Sequence, residues 1–315
     1  MANSVLKTEH LVKRYGSLTA VNNLSLEVYE GEVFGFLGPN GAGKTTAINM
    51  ICGLLKPDAG RVLVRGVPMA GGAAEVRTRV GMCPQNVVLW ERLTCLEQLQ
   101  FMGQMYGVAG REARQRGLKL LDELDLADKR DKLARTLSGG MQRRLNLAMA
   151  LVHDPELVVL DEPEAGLDPQ SRIKVREYIQ SLARKKTVIL TTHNMDEADR
   201  VVDRVAIIDR GELLELDTPE NLKQRVGEGD VIEIHLNNGL RDETQARATL
   251  NGLAADVRLE AATHILRVRA LHAVGQLASI LETLTAAGAQ PGEVSIRTNT
   301  LEDVFIKLTG RKLRE

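Results

Sequence analysis

The chain contains few aromatic residues, no excess of either charge and no long apolar run. Phe, Trp and Tyr make up 3% of its 315 residues, which argues against a surface that stacks nucleic-acid bases. Lys and Arg total 41 against 42 Asp and Glu, so the composition offers no basic excess for a nucleic-acid partner. No window approaches the roughly 18 apolar residues of a membrane-spanning helix. We therefore expect no nucleic-acid partner, and, if the protein works at a membrane, another chain that provides the crossing.

Cysteine is scarce as well, and its pattern favours free thiols. Cys52, Cys83 and Cys95 are odd in number, lack C-x-x-C spacing and stand among apolar residues. We expect buried thiols in a reducing compartment. The segment Met1–Arg14 lacks the apolar region of a signal peptide.

The apolar pattern predicts an α/β domain followed by a smaller one. Leu157–Leu160 and Thr187–Leu190 are continuous apolar runs, typical of strands buried on both faces of a parallel sheet. The segment from Leu93 to about Ala134 has helical spacing. Alternation of strand and helix segments along a chain indicates an α/β fold. The glycine-rich stretch Leu222–Gly229 is the predicted linker, so the domains are expected at 1–225 and 230–315.

Beyond the linker, the strand pattern begins again. Strands are predicted at Val231–Leu236, Ile265–Val268 and Val294–Ile296, and helices at Glu243–Leu250, Val274–Leu284 and Leu301–Leu308. With one further strand that the pattern does not locate, this order predicts a small split βαβ sandwich. It contains no phosphate loop and no paired carboxylates beside a base, so we expect a role in interaction or dimer stabilisation.

A glycine-rich loop between an apolar run and a helical run is the most informative motif. It fits Gly-x4-Gly-Lys-Thr and comprises Gly38, Pro39, Asn40, Gly41, Ala42, Gly43, Lys44 and Thr45, with Thr46 next in the chain. In such loops the backbone N–H groups surround phosphates. Lys44 is expected to reach the β- and γ-phosphates and Thr45 to hold Mg²⁺. The motif predicts a nucleoside triphosphate; a glycine turn that binds nothing is the disfavoured alternative.

Two acidic residues end the apolar run Leu157–Leu160. A carboxylate at this place in a P-loop enzyme holds Mg²⁺ through water, which fits Asp161. Glu162 follows and is placed to act as a general base on water. Two solvated acids at a strand end are the alternative, which Lys44 makes less attractive.

The segment Leu137-Ser138-Gly139-Gly140-Met141-Gln142 resembles the Leu-Ser-Gly-Gly-Gln signature of the ATP-binding cassette (ABC) family. Met141 stands where glutamine is commonest in the family, and in this respect the segment resembles the exporter branch. Ser-Gly-Gly before a helix is also a phosphate-binding terminus, although a plain helix cap explains it too.

The resemblance implies roles for further residues. Tyr15 resembles the aromatic residue that stacks on adenine, and Gln85 resembles the Q-loop glutamine that meets Mg²⁺ or water before a helical subdomain at about 86–150. Asp168 resembles the D-loop aspartate that crosses between subunits. His193 resembles the switch histidine that contacts the γ-phosphate.

Glu164 departs from the family pattern. It stands where Thr or Ser is usual and adds a carboxylate near Glu162. Asn194 follows the switch histidine where an aromatic residue is more frequent, a change that we interpret as neutral.

The resemblance covers about residues 5–222 and extends to Leu301–Gly310, which is similar to the ending of drug-resistance exporter ATPases. The helical spacing of this segment also fits an amphipathic helix that packs on its own domain, and the two interpretations are compatible. It implies a P-loop ABC cassette with a mixed sheet, a helical subdomain and a small C-terminal α+β domain. It also implies a composite site in which Lys44 and Asp161 of one copy face Ser138 and Gly140 of a second copy across ATP.

The function that the resemblance implies is ATP hydrolysis that powers export through separately encoded transmembrane permease subunits. The protein would then be peripheral, on the cytoplasmic face of the cell membrane, and would form a homodimer on binding ATP. A soluble ABC ATPase acting on nucleic acid or the ribosome is the alternative, which the single cassette and the lack of a basic tail disfavour. A nucleotide sensor without turnover is disfavoured by Glu162, since it needs no base.

Overall fold

The computed structural model describes residues 3–69, 74–183, 185–227, 229–238, 240, 242–254, 256–260, 263–270 and 273–310. The chain divides into two compact units, Met1–Asp217 and Thr218–Glu315. This division falls ahead of the predicted domain end at 225, because the helix α8 (Pro219–Arg225) packs on the last helix, α11 (Leu301–Thr309), within the second unit. Glu228 of the predicted linker lies outside the described residues.

The first unit contains ten of the strands and the first seven α-helices. The strands are β1 Ser4–Tyr15, β2 Leu18–Tyr29, β3 Val33–Leu37, β4 Ala59–Val64, β5 Val67–Pro68, β6 Val80–Cys83, β7 Leu157–Asp161, β8 Thr187–Thr192, β9 Arg204–Asp209 and β10 Glu212–Asp217. The helices are α1 Lys44–Ile51, α2 Ala74–Thr78, α3 Cys95–Met105, α4 Gly110–Glu123, α5 Gly139–Leu151, α6 Pro169–Leu182 and α7 Met195–Asp199.

A six-stranded sheet forms the centre of this unit. Its order is β10-β9-β3-β8-β7-β6, with parallel pairing except at β10, which lies antiparallel to β9. Every residue of β3 and β7 is buried, as continuous apolar runs predict for strands covered on both faces. β1, β2, β4 and β5 form a separate antiparallel sheet. The mixed α/β architecture predicted from the sequence is confirmed.

The helical segment that follows β6 consists of α3, α4 and α5. α3 begins at a capping box in which the Thr94 hydroxyl accepts from the Glu97 backbone and the Glu97 carboxylate accepts from Thr94. The predicted run from Leu93 is broken before α4 by Gly107, which has φ 82°, because a left-handed residue ends a helix. All three cysteines are free; Cys83 and Cys95 are buried and Cys52 is partly buried.

The second unit is a four-stranded antiparallel sheet with helices. After α8 its elements are β11 Asp230–Leu236, α9 Glu243–Thr249, β12 Asp256–Glu260, β13 Ile265–Ala270, α10 Ala273–Ala286, β14 Pro291–Arg297 and α11. The strand order β12-β13-β11-β14 is the predicted split βαβ arrangement. β12 is the strand that the pattern does not locate, because charged residues alternate with only Val257 and Leu259.

α11 ends the described chain. It begins at a capping box formed by Thr300 and Asp303 and buries Leu301, Val304 and Phe305. No helix in the described ranges combines the length and the apolar character needed to cross a bilayer.

Candidate functional site

The glycine-rich loop joins β3 to α1 and lies close against neighbouring strands. A Cβ at Gly38 would lie 2.2 Å from the Ile208 carbonyl oxygen, and one at Gly43 would lie 2.2 Å from that of Ala20. Gly43 also has φ 99° and caps α1, a conformation that side chains rarely adopt. A Cβ at Gly41 would meet open space. The loop is therefore anchored at both ends and open at its centre.

Lys44 lies beneath this loop with 6% of its surface exposed. Its ammonium donates to the carbonyl oxygens of Gly38 at 2.7 Å and Pro39 at 3.1 Å. Burial lowers the pKa of Lys44, while the charges of Glu162 and Asp161 act in the opposite direction. The loop thus holds a partly desolvated cation, whose charge acts more strongly on its surroundings than it would in water.

A pocket of about 700 Å³ opens over the loop. Such a volume lies within the usual range of small-ligand sites. Its lining consists of Tyr15, Leu18, Thr19, Ala20, Asn40, Gly41, Gly43, Lys44, Thr45, Thr46, Gln85, Glu162 and Arg210. The structure thus brings most of the predicted phosphate and adenine residues to one cavity. Gly38, Pro39 and Ala42 belong to the loop without lining the cavity.

The acidic pair stands at the carboxyl end of β7, beside the end of β8. Asp161 accepts hydrogen bonds from the Thr45 hydroxyl at 3.4 Å and from the Thr191 hydroxyl. The Glu162 backbone N–H donates to the carbonyl oxygen of Thr191 at 3.1 Å and to its hydroxyl at 3.0 Å. Thr191 therefore holds both acids. The sequence gives no sign of this role beyond a hydroxyl residue close to the predicted switch histidine.

The Glu162 carboxylate lies between two other predicted site residues. Gln85 Nε2 donates to Glu162 Oε2 at 3.0 Å, and His193 Nδ1 lies 2.9 Å from Glu162 Oε1. Glu162 is 7% exposed and has φ 46°, a left-handed conformation that costs energy in a residue with a side chain. Three residues that are distant in the sequence thus meet at one carboxylate.

The signature residues do not line this pocket. Ser138 caps α5 by accepting from the Met141 N–H, and a Cβ at Gly140 would lie 2.4 Å from the Ser171 hydroxyl. Asp168 caps α6 by accepting from Gln170 and Ser171. A Cβ at Gly139 would meet open space. The signature and the D-loop therefore adjoin each other, separate from the pocket lining of their own chain.

Comparisons with known proteins identify the family. Its sequence profile, described as ABC transporter, matches residues 21–165. The linearmycin resistance ATP-binding protein LnrL of Bacillus subtilis is 36% identical over 312 residues, which cover 99% of this chain and 100% of that protein. The Nod factor export ATP-binding protein I of Ralstonia nicotianae is 41% identical over 313 residues, covering 99% of this chain and 95% of that protein. The chain belongs to the ABC transporter family.

Solved structures agree with this assignment. An ATP-binding subunit of an ABC transporter is 28% identical with a TM-score of 0.65, covering 70% of this chain and 92% of that chain. A dimeric ATP-binding cassette in a post-hydrolysis state with ADP and Pi is 27% identical with a TM-score of 0.62, covering 68% of this chain and 98% of that chain. The predicted cassette fold and ATPase activity are confirmed.

Glu164 distinguishes this ABC ATPase from the usual family pattern. Its carboxylate lies 3.8 Å from Arg176 Nε, and Arg176 also pairs with Glu197. Burial, followed by the charge of Glu197, raises the pKa of Glu164, while Arg176 opposes the shift. The additional carboxylate thus interacts with α6 and α7 in a small cavity of about 170 Å³ that Glu162 and His193 also line.

The raised pKa of Glu164 predicts a pH-dependent effect of Glu164→Gln on stability. A carboxyl whose pKa is higher folded than unfolded favours folding below its ordinary pKa of 4.5, and this contribution is lost as the pH rises through the folded value. At about pH 8, we expect the variant to unfold at the same or a higher temperature than the wild type, because the neutral amide avoids burying a charge.

Melting curves from about pH 4 to pH 8 would check this expectation. The difference should shrink as the pH falls and the wild-type carboxyl becomes protonated. A variant that melts below the wild type at about pH 8, by an amount that persists at about pH 4, would contradict the prediction.

Arg210 and Gly211 contribute to the pocket and its loop, but no motif in the sequence indicates them. Arg210 occupies the turn between β9 and β10, with φ 50°, and lines the pocket over the glycine-rich loop. Gly211, next to it, donates its N–H to the Ala42 carbonyl at 2.9 Å. This turn is 168 residues from the loop that it contacts, counted from Ala42 to Arg210, so only folding brings the two together.

Proposed function

We propose that this ABC ATPase hydrolyses Mg²⁺-bound ATP between two copies of the chain and thereby drives export through separately encoded membrane subunits. The observation that carries the proposal is the Glu162 carboxylate, held by Gln85 and near His193, in the pocket that contains Lys44. A general base beside a phosphate-binding lysine is the arrangement that phosphoryl transfer to water requires.

Five of the predicted site residues have the following roles in this proposal. Lys44 exchanges its carbonyl partners for the β- and γ-phosphates, and the exposed ring of Tyr15 stacks on adenine. Glu162 accepts the proton of the attacking water. Gln85 and His193 orient that water and the γ-phosphate through their contacts with Glu162.

The donor set also fits Mg²⁺. Thr45 and Asp161 place a hydroxyl and a carboxylate 3.4 Å apart, and Gln85 supplies an amide at the same pocket. Such oxygen donors are the ligands that Mg²⁺ prefers beside substrate phosphates. We propose Thr45, Gln85 and Asp161 as the residues that hold the ion, which neutralises charge on the phosphates when bound.

A second copy completes the site in this proposal. Ser138, Gly139, Gly140 and Asp168 do not line the pocket of their own chain, yet the Ser-Gly-Gly segment begins α5 and offers a helix N-terminus to phosphate. A partner copy would present these residues across the nucleotide. The dimeric cassette with ADP and Pi supports such pairing.

The proposed docking surface for the membrane subunit follows Gln85 in the chain. We define it as the transmission patch, made up of Val87, Val88, Trp90, Phe101 and Met105, whose side chains are exposed. The Trp90 and Phe101 rings contact each other edge to face with centroids 4.9 Å apart. Contiguous exposed apolar groups indicate an interaction site. Docking there would link the partner to Gln85 and place the protein at the cytoplasmic face of the membrane.

The exported molecule is selected elsewhere in this proposal. The relatives named for linearmycin resistance, daunorubicin resistance and Nod factor export are 36%, 39% and 41% identical to this chain. Similar cassettes thus carry names that refer to unlike molecules. This favours membrane subunits as the source of substrate specificity.

Co-expression with a membrane protein of about six spans from an adjacent reading frame would test the proposed partnership with a membrane subunit. We expect Trp90→Ser with Phe101→Ser to lower co-purification by about tenfold or more, because interface aromatic residues contribute a large share of binding energy. The isolated variant should retain its basal ATPase rate. Val274→Ser, at an exposed apolar residue of the second unit, is the matched control. Undiminished co-purification of the double variant would contradict the transmission patch as the docking surface.

A further inference from the structure

Arg143 is a buried arginine of α5 with no assigned role. It is 3% exposed and lies five residues after Ser138, which caps the helix. Its Nη1 group donates to the carbonyl oxygens of Pro84 at 2.7 Å and Gln85 at 2.8 Å. One side of the guanidinium thus holds the backbone of the loop that presents the Gln85 amide.

The other side of the guanidinium holds the end of β7. Nη2 donates to the carbonyl oxygens of Asp161 at 2.9 Å and Glu162 at 2.6 Å, and Nε donates to that of Pro163 at 2.9 Å. A guanidinium has five N–H donors in one rigid plane, and Arg143 makes five such bonds. Its whole donor capacity is therefore directed at two loops.

These two loops carry the side chains that meet in the site. Gln85 Nε2 donates to Glu162 Oε2 at 3.0 Å, so the distance between the loops sets the distance between amide and base. Glu162 also has φ 46°, and a strained residue persists only where its surroundings hold it. The Arg143 bond to the Glu162 carbonyl supplies such support.

The same helix carries the signature residues on its first turn. Five residues of α-helix span about 7.5 Å, so Arg143 lies one to two turns beyond Ser138 on a single rigid element. A movement of the signature end therefore moves the guanidinium, and with it the backbone of both loops.

We propose that Arg143 is a positioning residue that sets the Glu162 carboxylate against Gln85 and couples this pair to the signature end of α5. The inference rests on the proposed base role of Glu162 and on the proposed composite site. In a dimer, the nucleotide bound by one copy's signature would thereby influence the base that serves the other nucleotide, giving cooperative hydrolysis.

Arg144 offers a matched control on the same helix. It is 6% exposed, and its Nη1 group donates to the carbonyl oxygens of Leu124 at 2.6 Å and Asp125 at 3.1 Å. It is thus a second buried arginine that bonds backbone carbonyls, at the end of α4 instead of at the catalytic loops.

The test compares Arg143→Lys with Arg144→Lys in steady-state ATPase assays and melting curves. A lysine ammonium has three donors on one atom and cannot span both loops. We expect Arg143→Lys to lower kcat by roughly 10–100-fold, because small misplacements of catalytic groups cost about this much, with KM for ATP changed less than about threefold. Its Hill coefficient should fall toward one. Arg144→Lys should lose comparable thermal stability and keep kcat within about threefold.

Other outcomes would overturn the proposal. They are a wild-type kcat in Arg143→Lys, a change confined to KM, or equal losses of kcat in both variants. If Arg143→Lys does not fold, Arg143→Gln replaces it, since its amide still donates to a carbonyl; failure of both while Arg144→Lys folds would assign Arg143 a structural role only. If Glu162→Gln hydrolyses ATP at the wild-type rate, that result contradicts the proposed base instead. Failure of the Arg143 proposal and failure of the proposed function are therefore distinguishable.

Discussion

Glu162→Gln is expected to lower ATP turnover by roughly 10²–10⁴-fold while ATP binding is retained, because the change removes a general base and little binding surface. Glutamine has nearly the same volume, and its carbonyl can still accept from Gln85. The backbone bonds of residue 162 to Thr191 do not involve the altered atoms. The expected loss therefore reports proton acceptance and not the fold of the loop.

The measurements are kcat, ATP affinity by calorimetry and oligomeric state by size exclusion with ATP. We expect the variant to accumulate as an ATP-bound dimer, since hydrolysis is the step that opens it in the proposed cycle. Glu164→Gln is the matched control, because it makes the same replacement two residues away at a carboxylate paired with Arg176. Turnover near the wild-type rate in Glu162→Gln would remove Glu162 from the role of base.

Lys44→Ala is expected to abolish tight ATP binding. Charge-assisted hydrogen bonds contribute roughly 1.5–3 kcal/mol each, and a tenfold change in affinity corresponds to about 1.4 kcal/mol. Two lost contacts with phosphate therefore weaken binding by about a hundredfold or more. The other cation that lines the pocket, Arg210, is exposed and stands on a different loop, so it does not replace an ammonium beneath the P-loop.

Calorimetry on Lys44→Ala and on Lys186→Ala would separate this effect from a general loss of charge. Lys186 also donates to a backbone carbonyl, that of Pro155 at 2.7 Å, yet it does not line the nucleotide pocket. Melting curves check that both variants are folded. Unchanged affinity in Lys44→Ala would show that the loop does not hold the nucleotide as proposed.

The sequence pattern predicted the second unit better than its boundary. The alternation in Val231–Leu236 and the helical spacing of Leu301, Val304 and Phe305 follow directly from which side chains are buried. The start of the unit was harder to place, because α8 has ordinary helix signals, with Thr218 as its cap and Pro219 at its first position. Local signals show that a helix exists but not which core it joins.

The sequence by itself determined the chemistry of the chain. The P-loop, the acidic pair at the end of β7 and the Ser-Gly-Gly segment are local patterns, each formed by neighbouring residues whose spacing follows from the phosphate, ion or helix terminus that they suit. The fold class followed similarly, since fully apolar strands between helices have few stable arrangements.

Only the tertiary structure decided which residues share a site. The Thr191 hydroxyl joins Asp161 because β7 and β8 pair in parallel with these two residues in register, and Arg143 reaches two loops that are separated by 76 residues, from Gln85 to Asp161. A buried arginine and a strand-end threonine carry no local signal, because their partners are backbone carbonyls and side chains from distant segments. These contacts depend on packing, which spacing along the chain does not encode.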